Sequence, residues 1–545
     1  MMTDTTPIAD SVPRDAPGAR EIGFFVPERY NASAILFDNL TSGHADRTAV
    51  TGPAGTRTYA ELAADACRFG KALLALGGRP GDRVLLFLDD TPAYPAALFG
   101  AIRAGLVPVL INTLTPSDLL QFYLSDCSAR IAVTDAAFVD RFNATACENT
   151  RLGCLIIVNS TPASTPAVPT RSAAEWLSSP APNLAAADTH RDAMAFWMYS
   201  SGSTGRPKGI VHLQHDMAYT HRSYAQDLLV LSPNDICFSV PKIFFAYGLG
   251  NSLTFPFAVG ASSVLLPGQP KPSAIFDAIA RYRPTVFFGL PTLYTALTKS
   301  PEATTADLSS LRLSVSAAEV LSAEVFRAWQ AISGLEIMEG LGSTEVLHIY
   351  LSNTPEQKKL GSAGKRVRGY EVKLTDANGG ATAGGEEGIL WVRGGSNAPC
   401  YWNRPDKTAE TMRAGGWIYT GDRFAVDADG FYYFRGRADD LVKVSGQWVY
   451  PLEVELCLAE HPAVRECAVL AVEQDNGLTT LKAFVVLDDT AAACAATTAA
   501  LQDFVKTRLL PYKYPRQIVY LPDLPKTGTG KIDRQALRGS RGTSS

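Results

Sequence analysis

The chain has 545 residues, which is more than one hydrophobic core normally holds, so at least two domains are expected. Hydrophobic residues make up 46% of the sequence and charged residues 19%, which excludes a largely disordered chain. The net charge of −4 comes from well-mixed acidic and basic residues, so neither nucleic acid nor an anionic membrane is expected as a partner.

Cysteine usage and apolar runs predict the compartment. The nine cysteines are scattered without CxxC pairs, which fits a reducing environment better than a disulfide framework or a zinc site. The first twenty residues lack the apolar segment of a signal peptide. Apolar runs such as residues 106–111 are far too short to cross a bilayer. We therefore expect a cytoplasmic protein with no membrane partner.

Strands and helices alternate through the first part of the chain. Buried strands are predicted at residues 83–88 and 107–111, with a helix at 95–104 between them. Further strands are predicted at 130–134 and 154–158. Strand, helix and strand at this spacing predict an α/β domain with mainly parallel strands.

The pattern changes near the C-terminus. Strands at 285–291 and 311–319 continue the α/β alternation, but the last part of the chain combines a helix at 451–459 with two strands and a second helix. The predicted fold class is therefore α/β, with a large multi-subdomain N-terminal domain and a small C-terminal α+β domain. We place these domains at residues 1–437 and 438–545.

A polar loop is predicted between two short apolar strands, at residues 199–209. It contains three glycines and four small hydroxyl side chains, and Arg206 and Lys208 add positive charge. Such a backbone can point several N–H groups at one anion, which predicts a polyphosphate-binding loop, although the glycine spacing is not that of a Walker loop. A mobile surface loop is the alternative. The candidate nucleotide-binding residues are Ser200, Ser201, Gly202, Ser203, Thr204, Gly205 and Lys208.

This loop resembles the first signature of the acyl-adenylate-forming (AMP-binding) superfamily. That superfamily includes acyl-CoA synthetases, aryl-CoA ligases, firefly-type luciferases and peptide-synthetase adenylation domains. Further segments resemble its other motifs in the same order, at residues 316–319, 339–345, 419–422, 436–446 and 525–532. The resemblance implies the fold of acyl-adenylate-forming enzymes, with a mobile C-terminal lid domain.

The resemblance also implies a nucleotide and metal site. Thr344 would bond the α-phosphate of the nucleotide, and Glu345 would hold Mg²⁺, a hard cation that prefers carboxylate and phosphate oxygens. The glycine-rich segment that ends at Glu345 follows a short predicted strand at 336–338. Leu341 stands where the family often has an aromatic side chain, so it would give adenine an apolar contact instead of a stack. The implied nucleotide-binding residues are Ser316, Ala317, Ala318, Glu319, Glu339, Gly340, Leu341, Gly342 and Ser343.

The later motifs imply a ribose site and a moving lid. Asp422 would bond the ribose hydroxyls, a suitable role for a bidentate acceptor, and Arg437 would reach the ribose. Asp439 would be the hinge between the domains. Lys531 would be the catalytic lysine of adenylate formation, and Lys443 would face the site in the second half-reaction.

The acid substrate is predicted from two further segments. Peptide-synthetase domains usually carry an aspartate in the segment aligned with residues 244–248, and none stands here, so an amino-acid substrate is disfavoured. Residues 242–250 and 344–349 resemble benzoate–CoA ligases. Phe287 and Phe288 would add to a compact aromatic pocket, with core packing as their alternative role. The candidate acid-binding residues are Phe245, Ala246, Tyr247, Gly248, Gly289, Gly342, His348 and Ile349.

Taken together, the resemblance implies an ATP-, CoA- and Mg²⁺-dependent acid–thiol ligase for benzoate or a close aryl carboxylate. A CoA ligase for a cinnamate-type, hydroxybenzoate or medium-chain acid is the alternative, and a stand-alone adenylation domain or a luciferase-type oxygenase is a further one. A non-catalytic nucleotide-binding module is disfavoured because both Glu345 and Lys531 are present. Monomer and homodimer both stay open.

Overall fold

A computed structural model describes most of the chain. The described residues are 17–160, 164–180, 182–200, 206–376, 379–382, 385–438, 442–444, 447–473, 479–488, 491–526 and 532–539. Several predicted site residues lie outside these ranges, namely Ser201, Gly202, Ser203, Thr204, Gly205, Asp439 and Lys531. For Lys443, the backbone is described and the side chain is not.

Strands and helices alternate along most of the described chain. The strands are β1 (Thr48–Thr51), β2 (Arg57–Thr58), β3 (Arg83–Phe87), β4 (Val107–Leu110), β5 (Ile131–Asp135), β6 (Cys154–Val158), β7 (Thr170–Ser172), β8 (Met194–Ser200), β9 (Lys208–Leu213), β10 (Ile236–Ser239), β11 (Ser262–Val264), β12 (Val286–Gly289), β13 (Leu313–Ala317), β14 (Ile337–Gly342), β15 (Ile349–Ser352), β16 (Lys365–Arg366), β17 (Tyr370–Thr375), β18 (Glu387–Gly394), β19 (Met412–Arg413), β20 (Trp417–Val426), β21 (Tyr432–Arg437), β22 (Val442–Val444), β23 (Gln447–Val449), β24 (Val464–Glu473), β25 (Thr479–Leu487) and β26 (Gln517–Tyr520).

The helices cover the sheets. They are α1 (Pro17–Glu21), α2 (Ala34–Phe37), α3 (Tyr59–Ala75), α4 (Ala93–Arg103), α5 (Ser117–Cys127), α6 (Ala144–Cys147), α7 (Ala174–Leu177), α8 (Asp216–Thr220), α9 (Ala246–Leu249), α10 (Phe255–Val259), α11 (Pro272–Tyr282), α12 (Pro291–Lys299), α13 (Ala323–Ser333), α14 (Pro405–Thr411), α15 (Pro451–Ala459), α16 (Ala495–Arg508) and α17 (Arg534–Gly539). No helix in the described ranges is long and apolar enough to span a bilayer.

The first large sheet has seven strands in the order β7-β6-β5-β3-β4-β8-β9. All neighbours pair in parallel except β8 and β9, which form an antiparallel hairpin. Strands β4 and β5 are buried at every residue. Parallel strands covered on both faces read as continuous apolar runs, which is why the sequence predicted them well.

The second large sheet has nine strands in the order β16-β15-β14-β13-β12-β10-β11-β1-β2. The six central strands, β14, β13, β12, β10, β11 and β1, pair in parallel. Strands β15 and β16 continue the sheet beyond β14 in antiparallel pairing. The carboxyl ends of β12, β13 and β14 therefore lie side by side. Ligands of parallel α/β sheets bind at such strand ends.

Two smaller assemblies complete the fold. Strands β17 to β21 form an antiparallel sheet, and the C-terminal part contains the pair β22-β23 and the sheet β24-β25-β26. The C-terminal part has its own core, in which Val454, Leu458, Val469 and Leu481 pack together. A large α/β part followed by a small α+β part confirms the predicted fold class. The exact boundary at residue 437 stays a prediction.

One predicted boundary is wrong. The sequence indicated a strand that ends at residue 338, but β14 continues to Gly342 because it pairs with β15 as far as Ile349. This pairing needs glycine. A Cβ at Gly340 would lie 2.9 Å from Cδ1 of Ile349, and a Cβ at Gly342 would lie 2.5 Å from the carbonyl oxygen of His348.

Glu339 is a buried carboxylic acid in the same strand. Its Oε1 accepts a hydrogen bond from the backbone N–H of Leu321 at 3.3 Å. Burial raises the pKa of Glu339 from the ordinary value of 4.5 to about 8, although this hydrogen bond opposes the shift. The carboxyl group is therefore protonated in the folded protein at neutral pH.

This proton makes stability depend on pH. Between pH 4.5 and about 8 the folded state keeps a proton that the unfolded chain releases, so Glu339 lowers stability as the pH rises through that window. We expect Glu339→Gln to reduce the loss of thermal stability between about pH 5.5 and pH 8.5. The apparent midpoint of thermal unfolding of both proteins measures this difference. Glu356→Gln, at an exposed position, is the matched control. Identical pH profiles for wild type and Glu339→Gln would show that the folded carboxyl group is ionised.

Candidate active site

The β8–β9 hairpin brackets the predicted phosphate loop. Ser200 and Lys208 face each other across the hairpin at the end that leads into this loop. The ammonium group of Lys208 lies 4.2 Å from the centre of the Tyr401 ring. Burial lowers the pKa of Lys208, and the nearby Glu345 carboxylate opposes this shift. The first signature motif thus ends at the half-buried ammonium group of Lys208, which lies near Glu345 of the motif at residues 339–345.

Tyr401 joins the first two motifs. Its ring lies under Lys208, and its hydroxyl donates a hydrogen bond of 2.8 Å to Oε1 of Glu345. Burial and the Glu345 carboxylate both raise the pKa of Tyr401. The hydroxyl therefore keeps its proton and donates a hydrogen bond to Glu345, which fixes the position of the carboxylate near Lys208.

Glu345 is a suitable single ligand for Mg²⁺. The described residues contain no cluster of three or more His, Cys, Asp and Glu side chains that could hold a metal alone. In proteins Mg²⁺ is commonly bound by one or two carboxylates together with substrate phosphates. A half-buried carboxylate oriented by Tyr401, close to Lys208, fits a metal that arrives with a polyphosphate.

His212 fixes the backbone of Thr344. Its Nε2 lies 2.8 Å from the carbonyl oxygen of Thr344, and its Nδ1 lies 2.8 Å from Oδ2 of Asp216. The ring is fully buried and stacks on Phe196 at 5.1 Å. A histidine from β9 thus connects the strand leaving the phosphate loop to the second motif.

Sequence reasoning missed His212, Asp216 and Tyr401. His212 and Asp216 stand four residues apart directly after the loop, and that spacing at the end of a strand was an available signal. Tyr401 had no local signal, because its partner Glu345 is 56 residues away. Only the fold brings them together.

The predicted adenine residues lie on adjacent strands. Ser316 in β13 pairs with Glu339 in β14, and Ala317 pairs with Gly340. Gly289 in β12, which was predicted to bind the acid, pairs with Ser316 on the other side. Beyond β13 the chain turns sharply. Ala318 has a φ of 76°, and Oε2 of Glu319 accepts a hydrogen bond of 3.2 Å from the backbone N–H of Thr292. Half-buried Leu341 and Ser343 follow on β14 and its turn.

The two predicted ribose residues are hydrogen bonded to each other. Asp422 in β20 pairs with Arg437 in β21, and Nη1 of Arg437 donates to Oδ1 of Asp422 at 2.9 Å. The same nitrogen donates to the carbonyl oxygen of Thr420 at 2.8 Å. Burial and the nearby carboxylates of Asp422 and Glu345 raise the pKa of Tyr350.

His348 lies at the centre of an aromatic cluster. Its ring is 4.4 Å from Phe255, 5.3 Å from Tyr224 and 5.6 Å from Tyr247, measured between ring centres. Burial lowers the pKa of His348 to about 3, so the ring is neutral. Neither ring nitrogen has a hydrogen-bond partner among the residues that the structure describes.

The aromatic residues predicted for the pocket divide into two groups. Phe288 lies 6.2 Å from Tyr247, but Phe287 points to the other face of β12 and packs against Trp329 at 5.8 Å. Successive strand residues face opposite sides of a sheet, so Phe287 is a core residue. The cluster instead includes Tyr224 and Phe255, which sequence reasoning missed.

The remaining predicted acid-binding residues lie in the short helix α9 or close to it. Helix α9 contains Ala246, Tyr247 and Gly248. Phe245 precedes it and contacts Phe244 at 4.6 Å. Ile349 begins β15 directly after His348. These residues come from two segments that are far apart in the sequence and adjacent in the fold.

The turn between β14 and β15 is tight. Leu347 has a φ of 71°, in the left-handed region that leucine rarely adopts. The backbone N–H of Ala398 donates to the carbonyl oxygen of Glu345 at 2.7 Å, and the Ser396 hydroxyl donates to that of Val346 at 2.8 Å. Contacts from residues 396–398 therefore hold the backbone on which both Glu345 and His348 stand.

The second predicted lysine lies in the C-terminal part. Lys443 is in β22, where its backbone pairs with Trp448 of β23. A contact links this part to the third sheet, because the Tyr450 hydroxyl donates to Oε2 of Glu387 at 3.1 Å. The catalytic and hinge roles of Lys443, Asp439 and Lys531 stay predictions.

Comparison with known proteins gives close relatives over nearly the whole chain. A benzoate–CoA ligase of Thauera aromatica is 42% identical over 518 residues, which cover 94% of this chain and 97% of the relative. A 4-hydroxybenzoate–CoA/benzoate–CoA ligase of Rhodopseudomonas palustris is 39% identical over 512 residues, 93% of this chain and 94% of the relative.

Solved structures agree with this similarity. An anthranilate CoA ligase in complex with anthranoyl-AMP superposes with a TM-score of 0.89 at 38% identity, covering 94% of this chain and 97% of that one. A benzoate CoA ligase from Burkholderia xenovorans gives a TM-score of 0.85 at 41% identity, covering 93% of this chain and all of that one, 100%.

Two family profiles match separate parts of the chain. The AMP-binding enzyme family matches residues 37–402, and the AMP-binding enzyme C-terminal domain matches residues 453–531. The first match spans the phosphate loop, the glutamate of the β14–β15 turn and Tyr401. With these matches and relatives of 42% and 39% identity, the chain belongs to the AMP-binding enzyme family.

Proposed function

We propose that this chain is an ATP- and CoA-dependent acid–thiol ligase that converts benzoate, or a close aryl carboxylate, to its CoA thioester through an acyl-adenylate. One observation carries the proposal. The β14–β15 hairpin holds the glycine edge expected for the nucleotide, the carboxylate of Glu345 and the aromatic pocket at His348 within a few residues. An acid in that pocket would have its carboxylate close to the nucleotide phosphates.

The lining of the pocket favours a flat, uncharged ring. Tyr224, Tyr247 and Phe255 surround a histidine that burial keeps neutral, and Phe288 packs against Tyr247. Aromatic side chains contact a planar ring through stacked and edge-to-face arrangements. Residues 244–248 contain no acidic side chain that could pair with the ammonium group of an amino acid. An aryl carboxylate fits these walls better than an amino acid does.

Three groups of residues would hold ATP. The loop between Ser200 and Lys208 would bind the polyphosphate, the strand ends at Ser316 and Gly340 would contact adenine, and Asp422 with Arg437 would bind the ribose. Glu345 would be the protein ligand of Mg²⁺. Bound there, the ion would neutralise charge on the phosphates.

The first half-reaction forms the mixed anhydride. A carboxylate oxygen of the acid attacks the α-phosphorus of ATP, and the bond between that phosphorus and the pyrophosphate oxygen breaks. Catalysis of this kind depends on positioning and on compensation of negative charge. Lys208 supplies one positive charge at the loop, and we assign a second to Lys531.

The second half-reaction transfers the acyl group. The sulfur of CoA attacks the acyl carbonyl carbon, the thiol proton leaves, and AMP departs with the electrons of the anhydride C–O bond. Water would hydrolyse the same anhydride, so the site must be closed while the adenylate exists. We propose that residues 438–545 form the lid, that it turns near Asp439, and that Lys443 faces the site in this second pose.

A hydroxybenzoate is the second candidate substrate. The Tyr247 hydroxyl and both nitrogens of His348 are buried and have no hydrogen-bond partner within the described ranges. Buried polar atoms without partners are costly, and a hydroxyl group on the ring could satisfy one of them. The R. palustris relative is itself described as acting on both 4-hydroxybenzoate and benzoate.

An acid panel tests the proposed function. Pyrophosphate release should be fastest with benzoate or a hydroxybenzoate and should show multiple turnovers only when CoA is present. Cinnamate, octanoate and palmitate are the comparison acids, because each is longer than benzoate. Turnover with palmitate and none with any benzoate would contradict the proposal.

Two lysine variants should separate the half-reactions. Lys531→Ala should lower pyrophosphate release about 100-fold, as expected for loss of charge stabilisation in the transition state. The same variant should still convert supplied benzoyl-AMP and CoA to the thioester. Lys443→Ala should have the larger effect on the second reaction. Lys506→Ala, in α16 of the same C-terminal part, is the control. Equal losses in both half-reactions for both variants would exclude a lid with two poses.

Tyr401→Phe isolates the hydrogen bond to Glu345. The variant keeps the ring under Lys208 and removes the hydroxyl that donates at 2.8 Å. Loss of a hydrogen bond to a charged group costs about 1.5 kcal/mol or more, so we expect pyrophosphate release to slow about tenfold. The Mg²⁺ concentration for half-maximal activity should also rise. Tyr433→Phe removes a tyrosine–aspartate hydrogen bond of 3.2 Å away from the site and should change neither quantity.

A further inference from the structure

A lysine and three aspartates meet where the two large sheets join. Nζ of Lys242 lies 3.3 Å from Oδ1 of Asp89 and 3.7 Å from Oδ2 of Asp90, and it donates to the carbonyl oxygen of Leu266 at 2.6 Å. Asp135 joins the group because its Oδ2 accepts from the backbone N–H of Asp89 at 2.7 Å. None of these residues belongs to the site described above.

The cluster connects the sheets at their strand ends. Asp89 and Asp90 follow β3, and Asp135 ends β5, so the carboxylates belong to the seven-stranded sheet. Lys242 follows β10 of the nine-stranded sheet. Backbone bonds strengthen the junction, because Oδ2 of Asp89 accepts from Gly268 at 2.6 Å and Oδ1 of Asp90 accepts from Ile243 at 3.2 Å.

Burial of the charged side chains at this junction is unfavourable in free energy. The Asp90 side chain is 2% exposed, and those of Lys242 and Asp89 are each 13% exposed. Burial raises the pKa of Asp90 to about 6, and Lys242 opposes that shift. A buried ion pair adds little net stability compared with apolar packing, but loss of one partner leaves an uncompensated charge. Such a pair is better explained by a requirement for geometry than by a gain in stability.

The backbone of Lys242 supports the segment at which the proposed acid pocket begins. Its carbonyl oxygen accepts from the backbone N–H of Phe245 at 3.0 Å, which forms the turn into α9. A Cβ at Gly248 would lie only 1.9 Å from the same oxygen, so α9 rests directly on the Lys242 backbone. The side chain of Lys242 is fixed at the junction, and its carbonyl supports the helix that carries Tyr247.

We propose that Lys242, held by Asp89 and Asp90, is a positioning residue that sets the place of α9 and so the width of the acid pocket. The inference rests on the proposed function, since it assumes that Tyr247 on α9 contacts the acid. It predicts a selective effect. Loss of the junction should weaken productive binding of the acid and leave the ATP site, which is built from other strands, largely intact.

Benzoate-dependent exchange of pyrophosphate into ATP tests the proposal on the full chain. Lys242→Met keeps the length of the side chain and removes its charge. We expect it to raise the KM for benzoate about tenfold, because small displacements of positioning groups can cost up to 100-fold. The KM for ATP should stay within about twofold of wild type. Lys242→Arg restores the positive charge and should recover most of the affinity for benzoate.

A second variant keeps the test decisive if Lys242→Met does not fold. Asp90→Asn removes the facing charge with the smallest change of shape and should also raise the KM for benzoate selectively. The double variant should raise the KM for benzoate by clearly less than the two single effects combined if the two residues act as a pair. The matched control is Lys359→Met, which breaks another lysine–aspartate cluster, with distances of 2.6 Å to both Asp427 and Asp429, away from α9.

Each outcome decides between separate claims. No exchange by the wild-type chain with benzoate or any hydroxybenzoate, with exchange driven by octanoate or palmitate, would overturn the proposed function. With a working wild type, an unchanged KM for benzoate in both Lys242→Met and Asp90→Asn would overturn the positioning role alone. Parallel rises in both KM values together with a lower thermal midpoint would also overturn it, because they indicate a purely structural role.

Discussion

The close pairing of β14 with β15 is the constraint on which the site depends. The two strands approach so tightly that a Cβ at Gly342 would collide with the backbone of His348, and one at Gly340 would displace the end of the Ile349 side chain. This approach puts the glycine edge beside β13 on one side and leads into the turn that carries Glu345 and His348 on the other. One hairpin therefore fixes the distance between the expected nucleotide, metal and acid positions.

Polar residues from outside the hairpin hold its turn in place. His212 reaches the Thr344 carbonyl from β9, Tyr401 reaches the Glu345 carboxylate, and residues 396–398 bond the backbone between them. These partners come from the first sheet and from the segment before β19. Buried polar groups that are fully bonded favour one arrangement over its competitors. These hydrogen bonds hold the turn that carries Glu345 in one position.

The sequence predicted the fold where local patterns decide it. The apolar runs of β3 to β6 gave their strands within about a residue, a margin typical of assigned boundaries. The motifs likewise predicted which segments meet, since Asp422 and Arg437 are hydrogen bonded across neighbouring strands. Prediction failed where long-range packing decides. The extension of β14 to Gly342 depends on a partner strand, the face of Phe287 depends on the register of β12, and the role of Tyr401 depends on a contact across 56 residues.

The left-handed backbone of Leu347 has an evolutionary consequence. A leucine with a φ of 71° is strained, and it is tolerated here because the turn from Ser343 to His348 must close in a fixed number of residues. Insertion or deletion of a residue there would separate the glutamate from the histidine or turn one of them away. New acid preferences in descendants of this chain should therefore arise by exchange of side chains at constant loop length, and seldom by remodelling of the turn itself.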